Sequence, residues 1–79
     1  MHIRVLLFGA TAQIVGEGKV DLQSEAPASV GEVLERLSAD HPSLRSYRLL
    51  TAVNQEYVGK KHILEAGDEL AIFTAVSGG

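Results

Sequence analysis

The stretch Ser29-Val30-Gly31-Glu32-Val33-Leu34-Glu35-Arg36-Leu37 decides the fold. Val30, Val33, Leu34 and Leu37 recur at i, i+3, i+4 and i+7, which places them on one stripe of a helix. Glu32, Glu35 and Arg36 fall off that stripe and face water. Ser29 and Glu32 have the S-x-x-E spacing of a capping box, in which the Ser29 hydroxyl satisfies a backbone N–H left unpaired at the helix start, a contribution of about 1 kcal/mol. Pro27 precedes the helix. Pro42 ends it, because it disfavours a helical backbone at His41. A single helix with one apolar stripe needs a sheet to lie on.

The flanking sequence supplies that sheet. Ile3 to Phe8 is a short run of strand formers, with Ile3, Val5 and Leu7 on one face at period two and Leu6 and Phe8 apolar on the other, as in a central strand. Gly9 breaks the run, Ala10 to Val15 has room for one short helical turn, and Gly16-Glu17-Gly18 marks a turn. Lys19 to Gln23 alternates through Val20 and Leu22 like an edge strand. Beyond the helix, Ser43 to Arg48 reads as an irregular connection. Leu50 to Asn54 and Glu56 to Val58 read as two strands around a tight turn at Asn54-Gln55. Gly59 to Lys61 is another turn, and Leu64 anchors a loop ending at Gly67-Asp68. Glu69 to Val76 is the last strand. Leu70, Ile72 and Val76 lie on one of its faces and Ala71, Phe73 and Ala75 on the other, so it too is central. If first and last strands are parallel neighbours, the helix is the crossover they require. The pattern is α+β: a β-grasp, with a mixed sheet of four to five strands covered by one main helix.

The 79 residues make one domain, read as residues 1–76 with a flexible Ser-Gly-Gly tail at 77–79. There is no cysteine, so disulfides, thiolate–metal sites and a side-chain sulfur carrier are excluded. The net charge of −3 argues against a nucleic-acid partner, and Lys60-Lys61-His62, the one basic run, reads as a solvated turn. No apolar stretch reaches the roughly 20 residues that span a bilayer. Met1-His2-Ile3-Arg4 is unlike a signal peptide, which leads to the expectation of a cytoplasmic protein.

No constellation of side chains reads as catalytic. His2, His41 and His62 are scattered, with no i+4 partner for a metal. Nothing selects one Ser-His-Asp combination over another. Asp68-Glu69 reads as a turn with a solvated carboxylate. The tail is different. Gly78 and Gly79 carry no Cβ, so the segment is narrow enough for a channel that admits only backbone. A carboxylate there suits attack on the α-phosphate of ATP to give an acyl-adenylate, from which sulfur displaces AMP. The competing reading of a bare Gly-Gly ending is a frayed terminus.

More of the chain enters a resemblance. Phe8, Gly16, Val30 to Leu37, Ala52-Val53-Asn54-Gln55-Glu56-Tyr57-Val58, Leu64-x-x-Gly67-Asp68-Glu69-Leu70-Ala71 and Val76-Ser77-Gly78-Gly79 together resemble the small subunit of molybdopterin synthase (the MoaD type), among the ubiquitin-like sulfur carriers. The resemblance implies a protein that is not catalytic alone. An adenylating activating enzyme uses ATP on the terminal glycine, and a sulfurtransferase makes it a thiocarboxylate. The tail then donates sulfur to cyclic pyranopterin monophosphate in the large synthase subunit, within a heterotetramer. On this basis Gly79 carries the reacting group and Gly78 allows close passage, while Phe8, Phe73, Val76 and Ser77 meet the partner. No cofactor, metal, nucleic acid or membrane is implied.

The sequence departs from the family in two places. Thr74 and Ala75 stand where two prolines are usual, implying a less stiff tail. Ala12 stands where an arginine is frequent. Both departures leave the carrier chemistry intact and the acceptor open, with thiamin thiazole or tRNA thiolation as alternatives; a reading of a different class is a ubiquitin-like binding module with an inert tail.

Overall fold

The computed structural model describes residues 2–24 and 27–75. Strand β1 (His2–Leu7) is followed by a short helix α1 (Ala10–Val15), β2 (Lys19–Gln23), the main helix α2 (Val30–Asp40), a 3-10 helix (Pro42–Ser46), β3 (Leu49–Val53), β4 (Glu56–Val58) and β5 (Glu69–Thr74). The five strands form one mixed sheet in the order β2-β1-β5-β3-β4. Strands β1 and β5 are parallel neighbours, with Val5 opposite Leu70, and every other pairing is antiparallel. This is the β-grasp arrangement the apolar runs imply: the two strands that are apolar on both faces lie inside the sheet, and alternating β2 lies at an edge.

Helix α2 begins as its capping residues require. The Ser29 side chain accepts the N–H of Glu32 at 3.1 Å, and the helix closes at His41, before Pro42. Two further N–H groups at its start find backbone acceptors, Val30 on the His62 carbonyl and Gly31 on the Lys60 carbonyl, each at 2.9 Å. The Lys60–His62 segment, exposed as expected for its side chains, therefore caps the helix with its main chain. Gly31 permits this approach, since a Cβ there would sit 3.3 Å from both the carbonyl oxygen and the Cβ of Lys60. The connection after α2 is more ordered than its sequence suggests. Pro42 stops the α-helix but suits the first turn of a new one, and Pro42–Ser46 forms a 3-10 helix that buries Leu44.

The helix stripe Val30, Val33, Leu34 and Leu37 packs on Ile3, Val5 and Leu7 of β1 and Leu70 and Ile72 of β5, with Leu44 and Leu64 closing the ends. All are buried. Fully burying such side chains contributes about 1.5–3 kcal/mol each, against a net stability on the order of 5 kcal/mol for so small a domain.

Candidate functional site

Because successive strand residues point to opposite faces, the register fixes what the second face of the sheet displays. Leu6 and Phe8 continue from β1, Ala71 and Phe73 come from β5, Leu50 and Ala52 from β3, and Tyr57 from β4. Leu6 is paired with Ala71, Leu50 with Phe73, and Ala52 with both Ala71 and Tyr57. Phe8 and Phe73 stack with centroids 5.0 Å apart and planes 10° from parallel, and Tyr57 leans on Phe73 at 6.3 Å and 50°. Water reaches this face: Phe8 is 45% exposed, Leu50 40% and Tyr57 76%. An open apolar patch with clustered aromatics is a candidate docking surface.

Local hydrogen bonds place the aromatic pair. Strand β1 ends at Leu7, one residue earlier than the apolar run, because Gly9 turns the chain at φ +60° and ψ −131°, a conformation open to glycine. The Phe8 N–H donates to the Ile72 carbonyl at 3.1 Å and to the Thr11 hydroxyl oxygen at 3.0 Å. The Thr11 hydroxyl lies 2.7 Å from the Phe8 carbonyl and 3.3 Å from that of Ile72, both acceptors for its one proton. Thr11 is fully buried, and this knot ties the end of β1 to β5 where Phe8 meets Phe73.

The same end of β5 leads into the tail. Thr74 pairs with Leu49, and the Ala75 N–H donates to the Arg48 carbonyl at 2.8 Å. The donor that Ala75 has and a proline lacks is thus in use, bonding the residue after β5 to Arg48, just before β3. The remaining candidates, Val76, Ser77, Gly78 and Gly79, lie outside the described residues, as does the proposed boundary at residue 76.

The motif residues Asn54 and Asp68 turn out to be structural. Asn54 (φ 49°) and Gln55 (φ 74°) are both left-handed, as in the two-residue turn that suits a twisted hairpin. The Asn54 amide donates to Asp68 Oδ1 at 3.0 Å, and its oxygen accepts the Glu69 N–H at 3.2 Å. The second oxygen of Asp68 accepts the Glu65 N–H at 2.8 Å. The Asp68 carboxylate is therefore a latch between the hairpin and the loop entering β5, partly accessible to solvent as its turn position suggests but engaged through both oxygens. Among the described residues no cluster of His, Asp and Glu could hold a metal, and no helix is long and apolar enough to cross a membrane. Sequence reasoning missed Tyr57, Leu50 and Thr11. The first two share a face with Phe73 once β3, β4 and β5 are in register. Thr11 had no signal, since its role depends on a contact with residue 72.

With this geometry established, the comparisons agree on one class, the β-grasp proteins of ubiquitin-like fold. The chain belongs to the ThiS family, whose model matches residues 5–79. It is 35% identical to a molybdopterin synthase sulfur carrier subunit of Chlamydomonas reinhardtii, covering 100% of both chains. It is 34% identical to small archaeal modifier protein 1 of Haloferax volcanii, over 92% of this chain and 95% of that one. The crystal structure of SAMP1 from Haloferax volcanii superposes with a TM-score of 0.83 at 30% identity, covering 100% of both chains.

Proposed function

We propose that the protein is a sulfur carrier of molybdopterin synthesis. The observation that carries this reading is the open aromatic face of Phe8, Phe73 and Tyr57, in which Phe73 lies on β5, the strand that precedes Val76-Ser77-Gly78-Gly79 in the chain. A partner seated on that face lies beside the end of β5, after which the tail follows in the chain. The name of the Chlamydomonas relative supplies the cargo.

In the proposed sequence an activating enzyme binds ATP. The Gly79 carboxylate attacks the α-phosphorus, and pyrophosphate leaves. A persulfide carried by a sulfurtransferase then attacks the acyl-adenylate carbonyl and expels AMP, and a thiol cleaves the resulting acyl disulfide, leaving as a disulfide with the transferase and releasing the thiocarboxylate. In the large synthase subunit the thiocarboxylate sulfur bonds to cyclic pyranopterin monophosphate, and water then cleaves the acyl–sulfur bond, returning Gly79 to a carboxylate. Gly78 lets the backbone pass a narrow channel, and Val76 and Ser77 line the entry with Phe8 and Phe73. The chain itself contributes position and a reactive end.

The test is intact mass after co-expression with the activating enzyme and a sulfur source. The expected result is a gain equal to exchange of one oxygen for sulfur, abolished by deleting Gly79. No gain, under conditions that modify an authentic carrier, rejects the reading. A deletion strain assigns the acceptor: loss of molybdoenzyme activity without a thiamin requirement or loss of tRNA thiolation fits molybdopterin. A binding module with an inert tail predicts that a residue appended after Gly79 changes nothing.

The likeness to the Haloferax modifier favours one second reading. The same acyl-adenylate, attacked by a lysine amine, would join Gly79 to another protein. Capture of the tagged chain under denaturing conditions would reveal such adducts.

A further inference from the structure

Beside the aromatic face lies a basic cleft that the docking of Phe8 and Phe73 leaves unused. Strand β4 ends at Val58, opposite Thr51, whereas β3 starts two residues earlier, at Leu49. Beyond Val58 the chain turns toward the start of α2, where the Lys60 carbonyl caps Gly31. The divergence leaves Leu49 and Leu50 with no partner strand on the β4 side. Two adjoining open clefts, about 380 and 480 Å³, occupy the gap. Leu34, Leu49, Arg48 and Lys60 line both, and Arg45 and Glu35 line the first.

Three observations define what fits there. The first is charge. Arg45, Arg48 and Lys60 face one carboxylate, that of Glu35 at 3.8 Å from Arg45, in a chain with 7 Lys and Arg against 10 Asp and Glu. Neither Arg48 nor Lys60 is held in an ion pair among the described residues. The second is backbone. The Arg48 carbonyl and the Asn54 N–H both bond to the β5 side, so strand alternation turns the polar groups of Leu49 toward the gap. The third is continuity. Leu50 and Tyr57 of the open face also line the second cleft, and Arg48 holds Ala75 at the root of the tail.

We propose that this cleft receives an extended acidic segment of the activating enzyme that takes up the tail for adenylation. Its carboxylates meet Arg48 and Lys60, its apolar side chains cover Leu34 and Leu49, and its backbone bonds the free edge at Leu49. The trough has an apolar lining and an unpaired strand edge, which suit a length of chain better than a free anion. The inference rests on the reading that the open face docks a partner.

The experiment follows backbone amides of the labelled protein by NMR. The probes are a peptide of alternating glutamate and leucine, its lysine counterpart, and tripolyphosphate. The expected result is shifts at residues 47–50 and 58–61 with the glutamate peptide alone, and at least tenfold weaker binding to an R48E/K60E variant whose spectrum is otherwise native. Shifts spread equally over Arg4, Lys19 and Arg36, equal binding of tripolyphosphate, or no binding at millimolar peptide overturns the proposal. In the thiocarboxylation assay, R48E/K60E should slow sulfur gain at least tenfold at low salt, and an unchanged rate also overturns it. If the wild type gains no sulfur at all, the proposed function fails, and the peptide titration still decides the cleft.

Discussion

Asn54 and Gln55 stand side by side in left-handed backbone, and only one of them is compensated. Asn54 bonds Asp68 and Glu69 across the turn, whereas Gln55 is exposed, with φ at 74°. A side chain in that region costs about 1–2 kcal/mol, part of which glycine returns as chain entropy. Gln55→Gly should therefore raise stability by roughly 0.5 kcal/mol, and Asn54→Ala should lower it by about 1–3 kcal/mol, both read from urea or thermal unfolding. The turn itself was legible, because an Asn between two strand runs points to one. That Asn54 and Asp68 bind each other was not, since 14 residues separate them and only the sheet brings them together. A recurring motif can thus belong to the scaffold, and Asn54→Ala should leave sulfur gain unchanged at temperatures where the variant stays folded.

Among the elements, the helix and the two central strands follow from the spacing of their apolar residues, because each period matches one buried stripe or face. The 3-10 helix at Pro42–Ser46 was hidden, since proline ends one helix and permits another, and only burial of Leu44 selects the second outcome. The end of β5 is the other departure. Ala75→Pro would remove the N–H that bonds Arg48, with an expected loss of about 1 kcal/mol in unfolding experiments and faster exchange of neighbouring amides. At the start of α2, Ser29→Ala should cost about 1 kcal/mol, measured in the same way, through loss of its bond to the Glu32 N–H.

For the whole molecule, the helix covers one face of the sheet and leaves the other open to water at Phe8, Leu50 and Tyr57. Phe8 and Phe73 were legible as candidates, but their stacking was not, because it depends on the parallel pairing of β1 and β5. Phe8→Ala should weaken partner binding at least about tenfold by titration calorimetry, as expected for an aromatic anchor at an interface centre. Its melting transition should remain cooperative, since Phe8 is 45% exposed. The central place of β5 has a mechanical consequence. On the proposed function, a tail drawn into a partner's channel and later withdrawn would pull on the end of β5. That strand is laced on both sides, to β1 from Arg4 to Leu7 and to β3 from Leu49 to Val53. The load falls in shear on two ladders at once instead of peeling bonds one by one. A strand laced in this way can be pulled at its end, repeatedly, while the sheet keeps its shape.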